Sequence, residues 1–140
     1  MTLEVVETRD IAACQALRRV VFILEQGVSV ADEVDGRYGA ARHLLAVLDG
    51  GAVGTARLLT EGEVGKIGRV CVLRAVRGQG VGVALIRAAV AIFAAVPGVK
   101  KVKLGAQTHA LGFYAALGFE AVDEVYQDAG IAHRDMVLRL

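Results

Sequence analysis

Apolar residues in the first quarter of the chain follow two different periods, which predict a strand and then a helix. The segment from Thr2 to Glu7 alternates apolar and polar residues, as a half-buried strand does. Asp10 can cap the following helix, in which apolar residues recur at steps of three and four. The residues with this spacing are Ile11, Cys14, Leu17, Val21 and Leu24. The pattern fades near Glu25–Gly27, where we expect the helix to end.

The middle of the chain alternates between apolar runs and turn signals, which predicts a meander of three strands. Tight turns are expected at Asp49-Gly50-Gly51 and at Glu61-Gly62-Glu63. The strands around these turns are His43 to Leu48, Ala52 to Thr60 and Val64 to Leu73. A helical period then runs from about Gln79 to Val96, and Pro97-Gly98 ends it.

The last third of the chain predicts a short strand, a helix and two final strands. Lys101 to Gly105 is the short strand, and His109 to Leu117 is the helix. Gly118 stops that helix, because glycine suits the left-handed position after a helix end. The final strands are Phe119 to Tyr126 and Ala132 to Leu140, joined around Asp128-Ala129-Gly130. This order of elements predicts an α/β fold with a mixed sheet and helices on both of its faces.

Composition limits the class of protein and its partners. A length of 140 residues predicts a single domain, residues 1–140. The formal net charge of +1 argues against nucleic acid or a membrane surface as a partner. Cys14 and Cys71 lack the spacing of metal ligands, so we expect no metal and reduced thiols. We identify no signal peptide and no membrane-spanning apolar run, and therefore expect a soluble, cytoplasmic protein. Exposed edges of the last strands leave a homodimer open.

A glycine-rich turn joins the meander to the second predicted helix. It reads Arg77-Gly78-Gln79-Gly80-Val81-Gly82. Because glycine has no Cβ, the oxygens of a ligand can approach such a backbone closely. A helix that begins here presents unpaired N–H groups and the positive end of its dipole, and both bind phosphate. Arg77 would add a fixed positive charge. The alternative is a glycine-rich turn without a ligand.

The spacing of these glycines separates several kinds of phosphate loop. A Rossmann loop needs Gly or Ala where this chain has Val83 or Leu85, and the Gly-Lys-Ser/Thr of a P-loop is absent. The remaining pattern, Arg-x-x-Gly-x-Gly, resembles the coenzyme A pyrophosphate loop of the GNAT N-acetyltransferase superfamily. The resemblance implies acetyl-CoA as co-substrate and a GNAT-like fold with a central, mostly antiparallel mixed sheet. The coenzyme-binding residues that it implies are Val70, Cys71, Val72, Arg77, Gly78, Gln79, Gly80, Val81, Gly82, Gln107 and Tyr114.

Three further sets of residues are similar to the same superfamily. Downstream, Ala110, Tyr114, Gly118 and Phe119 match a second motif position for position, and Gln107 stands where many members have Asn. The N-terminal half is similar to the ElaA-like branch. The residues that carry this similarity are Arg18, Val21-Phe22, Glu25-Gln26, Glu33, Asp35 and His43. The segment from Asp128 to His133 resembles the same branch, with Ala132 in place of a proline.

The resemblance implies direct transfer of an acetyl group from acetyl-CoA to a primary amine of a small molecule or peptide. An amine like that of lysine has a pKa of ~10.4, so about one molecule in a thousand is neutral at pH 7.4. The reaction therefore needs a base, together with donors for the thioester oxyanion and an acid for the leaving thiolate. N–H groups exposed where the Arg69–Leu73 strand splays from its neighbour would serve as the donors.

Tyr114 is the expected acid, since it occupies the place of the superfamily's tyrosine; the alternative is a buried aromatic packed beside Phe113 and Phe119. The base stays open. The candidates are Glu33, Asp35, His43 and His133, of which Glu33 and His43 are carried forward with Tyr114 as catalytic residues. Acidic loop residues are usually solvated, and a histidine at a strand start is often structural.

The acidic residues Asp32, Glu33 and Asp35 form a cluster in a segment without a clear period. Such a cluster would attract a cationic amine to the mouth of the site. A different class of function remains open, in which the chain is a catalytically idle acyl-CoA-binding sensor or interaction module. Both would bind the coenzyme, but only an enzyme would release free thiol in the presence of an amine.

Overall fold

The computed structural model describes residues 2–29 and 41–140. Within them the chain forms eight strands, three α-helices and several short helical turns. The strands are β1 (Leu3–Thr8), β2 (Arg42–Leu48), β3 (Gly51–Glu61), β4 (Val64–Val72), β5 (Lys101–Gln107), β6 (Glu120–Ala121), β7 (Tyr126–Asp128) and β8 (Ile131–Arg139). The helices are α1 (Ile11–Arg18), which continues as a π-helix over Arg19–Glu25, α2 (Val81–Ala94) and α3 (Leu111–Ala116). Single 3-10 turns lie at Arg74–Val76 and Thr108–Ala110.

All of these strands join one sheet in the order β1-β2-β3-β4-β5-β8-β6, with β7 also paired to β8. The pairing of β4 with β5 is parallel and the other pairings are antiparallel. The predicted mixed, mostly antiparallel sheet is therefore confirmed. None of the helices within the described residues is long and apolar enough to cross a membrane.

The two long helical segments cover opposite faces of this sheet, as the alternation of side chains along β2 and β3 requires. Leu44, Ala46, Ala56 and Leu58 pack in the main core with α2. On the opposite face, Leu45 belongs to a smaller cluster with residues of α1 and the π-helix. The prediction of helices on both faces is confirmed.

The close approach of α2 to the sheet depends on two glycines. A Cβ on Gly65 would overlap the ring of Phe93, which is one of the largest fully buried side chains. A Cβ on Gly54 would lie 3.1–3.2 Å from side-chain atoms of Leu85 and Val81. Because these strand positions have no side chain, α2 can pack against the backbone of β3 and β4.

The first helix begins as the sequence predicts but changes its pitch. Asp10 accepts a hydrogen bond from the N–H of Ala13 at 3.1 Å, which is a helix cap. From Arg19 the chain forms a π-helix, in which Leu24 is 66% exposed although its spacing predicts an inward position. A π-helix has more residues per turn, so a step of three from Val21 turns the side chain away from the core.

The C-terminal strands also differ from the prediction. In place of one strand from Phe119 to Tyr126, the chain forms the short strands β6 and β7, separated near Asp123, which has a φ of 59°. The left-handed backbone conformation at Asp123 lies where the ladder with β8 is interrupted. Strand β8 pairs with β5 on one side and with β6 and β7 on the other, so it is not itself a sheet edge.

Candidate active site

The glycine-rich loop leads directly into α2, as the sequence predicts. Gly78 and Gly80 have φ values of 84° and 86°, and Gly80 is the residue that precedes the helix. The N–H of Ala84 is the first to bond within the helix, to the Gly80 carbonyl at 3.0 Å. The N–H groups of the residues before it have no partner in the helix, and a Cβ on Gly80 would meet nothing within 4 Å. The loop therefore presents an accessible, electropositive helix end.

Strands β4 and β5 separate beside this loop. Their parallel pairing extends from Val64 with Lys101 only as far as Ile67 with Leu104. Beyond it, a register shift in the pairing with β3 and a φ of 51° at Arg69 form a bulge in β4. The outer half of β4 thus leaves its neighbour β5, and the side of its backbone that faced β5 becomes available to a ligand.

A cavity of about 840 Å³ occupies the gap between the separated strands and extends over the glycine-rich loop. Ten of the eleven predicted coenzyme-binding residues line it: Val70, Cys71, Val72, Arg77, Gly78, Gly80, Val81, Gly82, Gln107 and Tyr114. Gln79 is exposed and is not among the lining residues. The cavity therefore brings together the two motifs that the sequence analysis singled out.

Tyr114 contributes a phenol to this cavity while packing between two aromatic rings. Its ring lies edge-on to Phe113 and Phe119, with centroid separations of 5.0 and 6.1 Å. Burial raises the pKa of Tyr114 to about 12, because the phenolate would lose its hydration. The phenol therefore keeps its proton at neutral pH. Tyr114 both packs against neighbouring aromatic rings and lines the cavity.

Arg77 forms hydrogen bonds to two parts of the chain that its position in the sequence does not indicate. Its Nη1 and Nη2 donate to the two carboxylate oxygens of Glu25 at 2.6 and 2.7 Å, and its Nε donates to the Val72 carbonyl at 3.0 Å. Arg74 adds a third bond to Glu25 at 3.1 Å. The hydrogen bond from Arg77 lowers the pKa of Glu25 to about 2, and Arg74 contributes further. Glu25 thus balances the charge that the sequence analysis left unpaired.

A second contact connects the end of the π-helix to β5. Gln107 donates through Nε2 to the Gln26 side-chain oxygen at 2.9 Å. The Gln107 oxygen accepts a bond of 2.7 Å from His109 Nε2, which must carry the proton because a carbonyl oxygen only accepts. The Gln107 amide, which the resemblance places among the coenzyme-binding residues, is thus engaged by two neighbouring side chains.

His43 lies away from the cavity, in a buried cluster on the α1 side of the sheet. Its Nδ1 is 3.2 Å from Arg18 Nη2, and the same Nη2 is 3.4 Å from the hydroxyl of Thr55. Because arginine only donates, His43 Nδ1 accepts this bond. His43 is 3% exposed and is not among the described residues that line the cavity. The geometry therefore does not bring this candidate base to the site.

His133 does line the cavity, within a wall formed by the β7–β8 hairpin. The hairpin turns through Ala129 and Gly130, whose φ values of 52° and 76° are those of a two-residue turn. In this register Tyr126 pairs with His133 and Asp128 pairs with Ile131, so all four side chains share one face. All four line the cavity.

Sequence reasoning missed Glu25, Tyr126 and Asp128 as residues of the site. For the hairpin a signal was present: the turn at Ala129-Gly130 fixes the register, and the register places residues 126, 128, 131 and 133 together. Glu25 gave no such signal, because it contacts a residue 52 positions away. Asp32, Glu33 and Asp35 lie outside the described residues.

Comparison with known proteins gives a consistent result. The family model for the acetyltransferase (GNAT) domain matches residues 21–140. ElaA of Escherichia coli (strain K12) is 38% identical over 124 residues, which are 86% of this chain and 81% of that protein. The crystal structure of Escherichia coli ElaA aligns with a TM-score of 0.86 at 33% identity over 98% of this chain and 99% of that one.

Two further solved structures have the same fold. An acyl-CoA N-acyltransferase from Pseudomonas aeruginosa aligns with a TM-score of 0.86 at 33% identity, over 98% of this chain and 99% of the other. A GNAT family acetyltransferase from Elizabethkingia anophelis with acetyl-CoA bound aligns with a TM-score of 0.73 at 20% identity, over 99% and 98% of the two chains. The second likeness concerns the fold alone.

Proposed function

The chain belongs to the GNAT family of acetyltransferases, with ElaA among its relatives, and on that premise we propose the reaction that it carries out. It is an N-acetyltransferase that moves the acetyl group of acetyl-CoA to a primary amine of a small molecule or peptide, by direct attack of the amine. The observation that carries this proposal is that one cavity is lined both by the glycine-rich loop and by the separated ends of β4 and β5.

The loop end of the cavity supports binding of the coenzyme's pyrophosphate. Gly78 and Gly80 keep side chains out of the approach to the N–H groups at the start of α2. Those N–H groups and the helix dipole favour negatively charged oxygens. Arg77 borders the same surface, although its pairing with Glu25 reduces the charge it offers. The pyrophosphate is therefore held mainly by backbone donors.

The separated part of β4 supports activation of the thioester. A carbonyl under nucleophilic attack develops negative charge on its oxygen, and preorganised N–H donors stabilise that charge. The β4 backbone beyond Ile67 is no longer paired with β5 and lines the cavity through Gly68, Arg69 and Val70. This edge supplies the donors, so a thioester carbonyl bound along it would be polarised for attack.

Tyr114 supports protonation of the leaving thiolate. Its phenol lines the cavity and keeps its proton at neutral pH because burial raises its pKa. A general acid must be protonated before the step in which it acts. The acetyl group thereby passes to the amine in one step, without an acetylated protein residue.

The test is a thiol-release assay with acetyl-CoA and a panel of amines, polyamines, amino sugars and peptides. We expect coenzyme A release that depends on at least one amine, and mass spectrometry should find one added acetyl group on it. Acetyl-CoA binding without amine-dependent thiol release across the panel would instead identify an idle acyl-CoA-binding module.

A further inference from the structure

The wall of the cavity formed by the β7–β8 hairpin contains His133, whose single hydrogen bond within the described part of the chain leaves one ring nitrogen available to accept a proton. We propose that His133 is the general base that removes the proton from the acceptor ammonium group, and that Tyr126 positions its ring. This proposal rests on the acetyl transfer proposed above. His133 lies on β8 and Tyr126 on β7, as direct neighbours across the ladder, and both line the cavity.

One hydrogen bond fixes the tautomer of His133. Its Nδ1 lies 2.7 Å from the carbonyl oxygen of Ile131. Since a carbonyl oxygen can only accept, Nδ1 carries the proton, and in the neutral ring Nε2 then carries the lone pair. No side chain of residues 2–29 or 41–140 bonds to Nε2. The imidazole therefore presents its basic nitrogen while its other nitrogen is held by the backbone.

Tyr126 holds the plane of this ring. The two rings are stacked, with centroids 5.9 Å apart and planes 22° apart. Tyr126 is itself fixed, because its hydroxyl donates to Asp135 Oδ1 at 2.8 Å and Asp135 pairs with Lys103 at 3.3 Å. A Cβ on Gly105 would overlap the Tyr126 hydroxyl, so this arrangement requires glycine on β5. Three strands thus determine where the imidazole lies: β8 through Ile131 and Asp135, β7 through Tyr126, and β5 through Lys103 and Gly105.

The other two histidines of the chain lack this arrangement. His43 is buried in the cluster with Arg18, and His109 donates its Nε2 proton to Gln107. His109 nevertheless lines the same cavity. It therefore provides a natural control, since it lines the same cavity but its Nε2 is the nitrogen that donates and its Nδ1 is the one that carries the lone pair.

The proposed step conserves protons and electron pairs. His133 Nε2 takes one proton from the acceptor ammonium and later releases it to water. The neutral amine then forms a C–N bond with the thioester carbonyl carbon, and the C–S bond breaks. As the amide forms, Tyr114 gives its proton to the departing sulfur, and the second proton lost by the nitrogen passes through water to restore the Tyr114 phenol. The net products are the acetamide, coenzyme A and one proton.

Charged and titratable groups lie on His133's own strand, on the neighbouring β5 and β7, and elsewhere along the same cavity. They are Asp135 and Arg134 on β8, Tyr126 and Asp128 on β7, Lys103 on β5, His109 in the turn after β5, and Tyr114 on α3. Lys103 and Asp135 balance each other as an ion pair. Any pH profile of the reaction therefore has to be compared between variants that leave these groups unchanged.

The decisive variant is His133→Asn, because the asparagine amide can still donate to the Ile131 carbonyl but has no base. With an alkylamine acceptor, kcat/KM should fall about 10²- to 10⁴-fold near neutral pH, which is the usual contribution of a general base. The loss should shrink at high pH, where the amine is already neutral. A weakly basic acceptor such as hydroxylamine should also show a much smaller loss, since it needs no deprotonation before attack.

Controls separate this role from a structural one. His109→Gln keeps a donor to Gln107 and should retain the acidic limb of the parent's pH profile, whereas in His133→Asn this limb should move to the higher pH at which the amine itself loses its proton. Tyr126→Leu removes the stacking ring and should lower kcat while leaving that limb in place. The affinity for acetyl-CoA should be unchanged in all three variants. If His133→Asn unfolds, His133→Gln gives the same comparison.

The proposal is overturned if the His133 variants keep the acidic limb and lose equal activity with alkylamine and hydroxylamine acceptors. That result would leave the acetyl transfer itself intact. Absence of amine-dependent thiol release in the parent protein is a different outcome, because it would overturn the proposed function before any base is considered.

Discussion

Glu25 and Arg77 form a two-point ion pair that connects the end of the π-helix to the glycine-rich loop. The carboxylate oxygens accept from Nη1 and Nη2 at 2.6 and 2.7 Å, and the Glu25 side chain is only 19% exposed. Arg77 also bonds to the Val72 carbonyl at the end of β4. One guanidinium thus joins a helix end, a strand end and a glycine-rich loop.

Glu25→Gln should make the protein less stable in a manner that depends on pH. The Arg77 hydrogen bond lowers the pKa of Glu25 from 4.5 to about 2 in the folded protein. A carboxyl group whose pKa is lowered by folding stabilises the folded protein at pH values above its pKa in the unfolded chain. This contribution disappears as the pH falls from about 4.5 towards 2. The difference in melting temperature between parent and variant should therefore be full above pH 5 and vanish towards pH 2.

Glu7→Gln provides the matched control for that measurement. Glu7 forms a similar pair with Arg42, which lowers its pKa, but it lies on β1 and contacts no part of the loop. Both variants should show acid-dependent stability differences, whereas only Glu25→Gln should weaken acetyl-CoA binding. Equal acetyl-CoA affinity in parent and Glu25→Gln would mean that the ion pair does not support the loop.

Gly80→Glu should abolish the stabilisation that acetyl-CoA gives to the fold. A ligand present at a hundredfold excess over its Kd stabilises the native state by about 2.7 kcal/mol, which corresponds to several degrees in melting temperature. A carboxylate and Cβ at Gly80 would occupy open space beside the first N–H groups of α2. Thermal unfolding with and without acetyl-CoA measures the shift.

Gly98→Glu is the control for backbone strain in that experiment. Gly98 has the same φ of 86° and is likewise open to solvent, but it does not line the cavity. Both variants place a side chain on the same unfavourable backbone conformation, so both should have a lower melting temperature than the parent. Only Gly80→Glu should lose the shift with acetyl-CoA. A normal shift in a folded Gly80→Glu protein would place the coenzyme elsewhere.

Tyr114→Phe should lower turnover and leave coenzyme affinity nearly intact. The ring contacts with Phe113 and Phe119 survive this change, and only the donated proton is lost. General acid catalysis typically contributes about 10²- to 10⁴-fold. Single-turnover kinetics with saturating acetyl-CoA check the prediction under conditions where chemistry limits the rate. Parent-like turnover there would mean that water protonates the thiolate and that Tyr114 only packs.

Asp128→Asn should raise KM for cationic acceptors. Asp128 is the one carboxylate among the cavity-lining residues within 2–29 and 41–140, and it shares a face with His133. An exposed carboxylate attracts an ammonium group more strongly at low ionic strength. Saturation curves for a diamine and for an uncharged acceptor, each at low and high salt, should show an increase in KM only for the diamine.

Asp123→Asn is the matched control for Asp128. Asp123 is also exposed, on the connection between β6 and β7, but does not line the cavity, and asparagine tolerates its φ of 59°. Its kinetics should match those of the parent. Glu33→Gln with Asp35→Asn tests the sequence-based prediction for the acidic segment in the same assay. If Asp128→Asn leaves all curves unchanged, the hairpin does not select the acceptor's charge.

The sequence by itself determined the local features of this protein. Alternation along β2 and β3 decides which side chains face each helix, and the glycines at positions 78 and 80 allow the left-handed loop before α2. Asp10 caps the first helix as its residue type requires. These features depend on backbone conformation and on side-chain periods within a few residues, so a single sequence contains them.

Only the tertiary structure decided which distant groups meet. It moved His43 into a buried contact with Arg18 and brought His133 to the cavity, although both are histidines near strand starts. It also paired Glu25 with Arg77 and ended the β4–β5 ladder at Ile67. Such contacts depend on strand register, on a bulge and on a change of helix pitch. A change in any of these three moves the side chains that follow it to new positions. The distant residues that those side chains then contact show no matching pattern in the sequence.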